Sequence, residues 1–551
     1  MKHVIHYSFF FLVIFFIATS CKKPTDQIKY IPKDAGFVFD LNWKSLSEKA
    51  SKANINWDSI LRSTREPDSS IAKAKKRFDD FVHSGIDTEK NIFIFIKTGG
   101  SIMSGQSTTV GVVASLKNIT SFEAYIKKQE GVSEIKKESN FSYVAFSNDN
   151  LFVGWNDDIA ILSGTEEKRK YPDSSGTSSS KNSPQQALAP LFNLKEESVA
   201  SIPEFKDLMN EKADMLFWSN SASMFNSVPM LGMTKIADLF KNSYGAGTVN
   251  FENGKVTAHF KSYCSKDLAD ILNKYKSSAA DMNMVTRYPF PASGYIVFNF
   301  NPQIITEIIR FGGLESTVNQ YLQRQGLTLD DITKAFKGDF AIVFSDLGTK
   351  EKENGGRRPT AKLLFNATIG DKGAYDKIVS KLADQGLMEM QNGQYVPKAM
   401  GDEFAYNMNG KNLIIATGND LMQQYLSGKG NAAIPTDVAN KSKGKTFALY
   451  FDINKILESF STDTSSKSMQ AAKATFNNVI ATRENFNGKY VASDFELTTM
   501  NNSENSLAAL IKFFVSASKQ IEQESKKLQN EGMAGIDTSG MVEPPATEDE
   551  K

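Results

Sequence analysis

The sequence predicts an α+β protein of two tandem homologous lobes, each mainly antiparallel sheet with helices packed on one face. Three observations predict it. Apolar runs of strand length are joined by short turns, amphipathic segments of helical period lie between them, and a second set of runs follows the first in the same order. Short turns between neighbouring strands favour antiparallel pairing, and runs of strands broken by helices read as α+β.

The chain opens with a brief basic start and the apolar run Phe9–Ile17, followed by Ala18, Thr19, Ser20 and Cys21. Such a run is too short to span a bilayer, and with small residues at its end it reads as a signal peptide over residues 1–20. A cysteine at the cleavage point makes a lipobox, so Cys21 is the expected lipidation site. Residues 21–29, with Lys22, Lys23 and Pro24, then form a tether that reaches at most about 30 Å.

The first lobe is expected over residues 30–280 and the second over 281–516. Pro32–Asn42 is matched by Pro291–Asn301, which sets Val38–Phe39 on Val297–Phe298. Asn91–Ile96 matches Asp339–Phe344, and Val110–Ala114 matches Leu363–Ala367. Leu151–Val153 and Ile159–Gly164 match Phe404–Tyr406 and Leu413–Gly418. Met215–Asn220 matches Ala448–Ile453. Phe251–Lys255 matches Phe486–Lys489, each with an Asn-Gly hairpin signal. Near 166–206 the first lobe carries a stretch that includes Ser174–Ser180 and reads as a mobile insertion. Residues 517–551 read as a polar helix and a disordered acidic tail.

The chain has 64 Lys and Arg against 63 Asp and Glu. Loss of Lys2 with the leader leaves 63 basic side chains and no net charge, which argues against a nucleic-acid partner. Cys21 and Cys264 are the two cysteines, so an acylated Cys21 leaves Cys264 without a disulfide partner. Zinc sites of the Cys-x-x-Cys type are excluded, and Cys264 reads as a small core hydrophobe.

Candidate chemistry fails on spacing. His83 ends an amphipathic helix and His259 lies on a strand, with no His-x-x-x-His or carboxylate pattern beside either. Gly444–Lys445–Thr446 looks like the end of a phosphate loop, but Ala439 stands where a glycine is required. Asn148–Asn150 and Asn156–Asp158 read as turns rather than calcium loops. Trp43, Trp57, Trp155 and Trp218, with the 39 phenylalanines, read chiefly as core, with an exposed aromatic platform as the alternative. No catalytic residue, metal site or cofactor is assigned.

The Cys21–Lys22–Lys23 start, the Ile31–Ala35 opening and Leu329–Ile332 leading to Phe336–Asp339 carry a likeness over nearly the whole mature chain. The chain resembles a family of uncharacterised Bacteroidetes lipoproteins defined by a domain of unknown function. The resemblance implies an outer-membrane lipoprotein and transfers no catalytic residues. Because Lys22–Lys23–Pro24 lacks the acidic residues associated with surface export in these bacteria, the periplasmic face is expected.

The function that follows is a non-enzymatic binding or scaffolding lipoprotein of the cell envelope. Its expected partners are the membrane, through a lipid on Cys21, and an envelope protein or glycan. Two alternatives stand beside it. One is a hydrolase of envelope glycan or peptide that uses carboxylates. The other is a carrier or chaperone for exported hydrophobic cargo, which needs an open apolar groove.

Overall fold

The computed structural model describes residues 26–517, apart from 53–79, 81–82, 102–104, 148–149, 169–182, 227–233, 352–356, 392, 399–402, 409, 461–466 and 515. Cys21, the leader expected over residues 1–20, the Ser174–Ser180 run and residues 518–551 lie outside the described residues. Among the described residues no helix is long and apolar enough to cross a membrane.

The first half contributes β1 (Phe37–Leu41), β2 (Ile92–Ser101), β3 (Gly105–Ser115), β4 (Lys136–Lys137), β5 (Ser142–Ala145), β6 (Leu151–Trp155), β7 (Ile159–Lys168), β8 (Met215–Asn220), β9 (Tyr244–Glu252) and β10 (Lys255–Tyr263). The second half contributes β11 (Gly294–Phe300), β12 (Phe336–Glu351), β13 (Arg357–Ile369), β14 (Met388–Gln391), β15 (Gln394–Pro397), β16 (Phe404–Met408), β17 (Asn412–Thr417), β18 (Phe447–Asp452), β19 (Phe476–Arg483) and β20 (Tyr490–Thr499).

Every pairing is antiparallel. In the first half the spatial order is β4-β5-β6-β7-β3-β2-β1-β8-β9-β10. In the second it is β16-β17-β13-β12-β11-β18-β19-β20. β10 then pairs with β20 along its whole length, so 18 strands form one continuous sheet. β14 and β15 stand apart as a two-stranded sheet.

Individual bonds recur with the pairing order. Gly36 N donates to Ile96 O, and Ser293 N to Phe344 O. Asn220 N donates to Gly36 O, and Asp452 N to Ser293 O. Asn42 N donates to Asp214 O, and Asn299 N to Thr446 O. These bonds set Val38 on Tyr295, two residues from the match read in the sequence. They set Met215 on Phe447, one residue away. A two-residue shift keeps each side chain on its face, whereas a one-residue shift exchanges the faces.

One β9–β10 turn shows why the local sequence is needed. Asn253–Gly254 joins the strands with Gly254 at φ +73, and a Cβ there would meet Asn502 Cα at 2.7 Å. Gly254 N and O also bond to Glu504 O and Thr499 N, so the turn is clasped by the last residue of β20 and the segment that follows it.

Helices lie on both sides of the sheet, which corrects the expectation of one covered face. On one side the segment 184–209 and the 3-10 turn Asp26–Tyr30 cover Val38, Phe95, Val113 and Trp218. In the second half Asn283–Thr286, Asn419–Leu426 and Thr436–Ser442 cover Tyr295, Val297, Ala341 and Tyr450 on the same side. On the other side Trp43–Lys52 packs with the helix 506–514 over Leu41, Ile92 and Val256. Ile119–Lys127 covers Val144 and Val153, and Lys372–Asp384 covers Ile369. The physical reason is that alternate residues on both faces are apolar, so each face seeks cover.

The mobile insertion expected near 166–206 is also corrected over 183–206. Leu188, Leu191, Val199, Ile202 and Phe205 are buried in the main core of the first half. Ser183 starts that segment with a capping box through Gln186, and Pro203 starts a second helix. Short helices separated by Pro and Ser hide their periodicity in the sequence.

Candidate functional site

The two faces of the sheet are unequally covered. On the side covered by the segment 184–209 and, in the second half, by Asn419–Leu426, Phe95, Val113, Trp218, Tyr295, Val297, Ala341 and Val343 have no exposed surface. On the opposite side the alternate residues Phe37, Phe39, Ile94, Ile96, Phe217 and Phe260 are only half-buried. So are their counterparts in the second half, among them Ile296, Phe298, Phe340, Ile342, Phe447 and Leu449.

Cross-strand pairing aligns these residues into one transverse row. Phe39 pairs with Phe217, Phe217 with Gly247, and Gly247 with Phe260. Phe260 pairs with Ser493, Ser493 with Arg483, and Arg483 with Phe447. Phe447 pairs with Phe298 and Phe298 with Phe340. Directly paired residues point to one face, so the row runs across both halves.

The rings touch. Centroids lie 5.4 Å apart for Phe39 and Phe217, 6.3 Å for Phe217 and Phe260, and 5.0 Å for the stacked Phe298 and Phe340. Gly247 makes room, since a Cβ there would meet the Phe260 ring at 2.3 Å. An aromatic side chain offers roughly 150–250 Å², so the half-buried row leaves on the order of a few hundred Å² of apolar surface. That is about the size of the largest apolar patch on an ordinary monomer, and such patches are often functional.

The residues singled out in the sequence fall elsewhere. His259 is exposed on β10 with its Nδ1 2.7 Å from Asp494 Oδ1, while His83 is an exposed turn residue. Among the described residues no group of three or more His, Cys, Asp and Glu side chains is placed to hold a metal ion. Asn156 Oδ1 accepts from Asp158 N and Ile159 N, a turn arrangement, and Asn148 and Asp149 lie outside the described residues. In the Gly444–Thr446 segment Lys445 is paired with Glu484 at 2.7 Å and the Thr446 hydroxyl donates to Arg483 O. Cys264 is half-buried, and desolvation pushes its thiol pKa up, away from thiolate chemistry. Trp43, Trp155 and Trp218 have no exposed surface, whereas Trp57 lies outside the described residues.

A hollow of about 630 Å³ lies beside the segment 184–209 in the first half, among Lys33, Asp34, Lys97, Glu197 and Lys241. Of its two carboxylates, Asp34 is exposed and paired with Lys97 at 2.8 Å. This is ordinary surface charge pairing and places no nucleophile against a base. The half-buried phenylalanine row was missed in the sequence because burial differs between the faces, while residue type does not.

The family model described as Domain of unknown function (DUF4836) matches residues 28–507. The chain belongs to this family. The DUF4836 match begins at Ile28, in the 3-10 turn before the sheet, and ends at Leu507, in the helix that packs on the first half. It therefore takes in the whole continuous sheet. No curated protein matches the chain. Two solved structures, crystal forms I and III of TP0453, are similar to it at 8% and 10% identity. They cover 45% and 46% of this chain and 81% and 87% of their own, each with a TM-score of 0.25. A likeness at that level carries no argument about this DUF4836 member.

Proposed function

We propose that this chain is a non-enzymatic binding lipoprotein of the cell envelope whose half-buried sheet face takes an apolar ligand of acyl-chain type. The observation that carries the reading is the pair of incompletely covered phenylalanine clusters in the row from Phe39 to Phe340, one on each half, separated at the seam by Ser493 and the exposed Arg483. An apolar ligand gains from burial there in proportion to the area covered, about 25 cal/mol per Å². A glycan or a polar peptide would leave its own polar groups without partners against such a surface.

The reading is tested with an environment-sensitive apolar dye and with single-chain fatty acids as competitors. Phe217→Asp and Phe298→Asp are each expected to lower dye affinity at least about tenfold, a change of about 1.4 kcal/mol. Circular dichroism checks that the fold survives. Equal dye binding by wild type and both variants would refute the proposal.

The address belongs to the same reading. Cys21 carries the lipid, the tether over 21–29 holds the body near the outer membrane on its periplasmic side, and the family is one of Bacteroidetes lipoproteins. In the native host, Cys21→Ser is expected to move the protein from the membrane fraction to the soluble one. Unchanged fractionation would end the lipoprotein claim.

The halves are read as products of an internal duplication. The shared pairing order and the matched backbone bonds support this. So does the seam, where His259 pairs with Asp494 at the centre of β10 and β20. The registers carried through β9 and β19 make these two residues counterparts, so the strands pair about a local two-fold axis, as identical subunits do.

A further inference from the structure

We propose that Arg483 anchors the acid group of a single-chain anionic amphiphile whose apolar chain lies over Phe447, Phe298 and Phe340. This rests on the apolar-ligand reading above and adds the head group that the ligand carries. The paired registers place Arg483 on the half-buried face, between Ser493 of β20 and Phe447 of β18. Across β1, β8, β9, β10, β20, β19, β18 and β11, the other residues that share this face are apolar, glycine, serine or threonine. Among the described residues Arg483 is the one charged side chain on this face of those strands.

The fold does not call for an arginine here. Thr446 N donates to Arg483 O, and in the first half Asp214 N donates to Val249 O at the corresponding place. Val249 packs against the apolar cluster that includes Leu41, Trp43 and Leu46. The same backbone position thus accepts an apolar side chain, yet in the second half it holds a cation. Desolvation holds the Arg483 pKa below the usual arginine range, and the Cys264 thiol opposes that shift. Among the described residues no carboxylate pairs with the guanidinium. A cation set in an apolar surface without a partner is unfavourable, and an anionic ligand group supplies the partner.

Both parts of the ligand follow from this placement. A guanidinium presents a planar fork that a carboxylate matches with two parallel bonds, and the partly exposed Ser493 stands directly opposite as a further donor. One cation balances a head of one negative charge. Phe447, Phe298 and Phe340 follow Arg483 on successive strands, a path of about 14 Å at about 4.8 Å per strand. On the other side Ser493 and Gly247 interrupt the row, so the chain is directed over the second half.

The test compares dodecanoate with dodecanol, the same chain without the acid, on the full mature chain with Cys21→Ser, so that no lipid of its own competes. Displacement of the environment-sensitive dye reads both affinities. Arg483→Gln is expected to weaken dodecanoate binding at least about tenfold and to leave dodecanol within about twofold. Arg483→Lys keeps the charge without the fork and is expected to bind dodecanoate between wild type and Arg483→Gln. Circular dichroism and thermal melting of both variants separate loss of the anchor from loss of the fold. If Arg483→Gln weakens the two ligands alike, or neither, the anchor is overturned while the apolar-ligand reading stands. A wild type that binds neither ligand overturns both.

Discussion

Replacing Asp40 with asparagine is expected to stabilise the protein at pH 8 and to remove most of its pH dependence between about pH 4 and 7. Asp40 lies in the middle of β1, 3% exposed, between Phe93 and Leu216 on the neighbouring strands. Its Oδ2 accepts from Asn91 Nδ2 at 3.0 Å, and its Oδ1 has no partner. Desolvation by burial pushes this carboxyl up to about 7, and the Asn91 bond only partly offsets it. In the second half the position with the same pairings is Val297, also fully buried.

The direction follows from linkage. Asp40 titrates near its ordinary value of 3.8 when unfolded and near 7 when folded, so the fold favours the protonated form. Its contribution is fully present below the unfolded value and is lost as pH rises through about 7. A gap of about three units corresponds to an upper figure of roughly 4 kcal/mol. The asparagine side chain of the variant would keep an acceptor for Asn91 and carry no charge. Urea midpoints at pH 5 and pH 8 check this: the wild type is expected to weaken between them and Asp40→Asn to weaken much less. Equal losses in both proteins would show that other groups govern the pH response.

Asp214→Ala is expected to act in the opposite sense, with a loss of about 3–5 kcal/mol at neutral pH, the cost of breaking a buried ion pair. The Asp214 side chain is 3% exposed and fully engaged. Its Oδ1 accepts from the Ser45 hydroxyl, and its Oδ2 from the Lys49 ammonium and from Phe251 N. Ser45 and Lys49 belong to the helix Trp43–Lys52, and Phe251 is the last residue but one of β9. One carboxylate thus ties the first helix to the sheet. Its removal leaves the Phe251 N–H and the half-buried Lys49 unsatisfied. Asp214→Asn retains two oxygen lone pairs on one atom only, so an intermediate loss is expected. A urea midpoint unchanged in Asp214→Ala would refute this role.

These two carboxylates look alike in the sequence. Asp40 interrupts Phe37–Leu41 and Asp214 precedes Met215, and both are single acids beside a strand. Their roles separate only in three dimensions. Asp214 meets three donors from distant segments, whereas Asp40 meets one.

Much of the fold is legible in the chain itself. Strand-length apolar runs, their repeated order and turns such as Asn253–Gly254 are local signals, because a turn needs particular dihedrals and a strand needs residues that suit a pleated surface. Register is less legible. Apart from Asp40 and Asp452, β1 and β18 are apolar on both faces, so a shift of one or two residues between the halves leaves little contrast to detect. The buried segment 183–206 is hidden for a similar reason, since its helices are too short to display a period.

The sequence by itself determined a nearly neutral chain with two cysteines and strand-length apolar runs in a recurring order, and it raised the expectation of a leader over residues 1–20, because composition and local period need no partner. Only the tertiary structure decided that the two patterns join through β10 and β20 into one sheet, that helix 506–514 returns to the first half, and that one face is left half-covered. Those outcomes depend on which distant apolar surfaces meet. The hydrophobic effect rewards area buried without direction, so residue type alone does not say which Phe is sealed and which remains open.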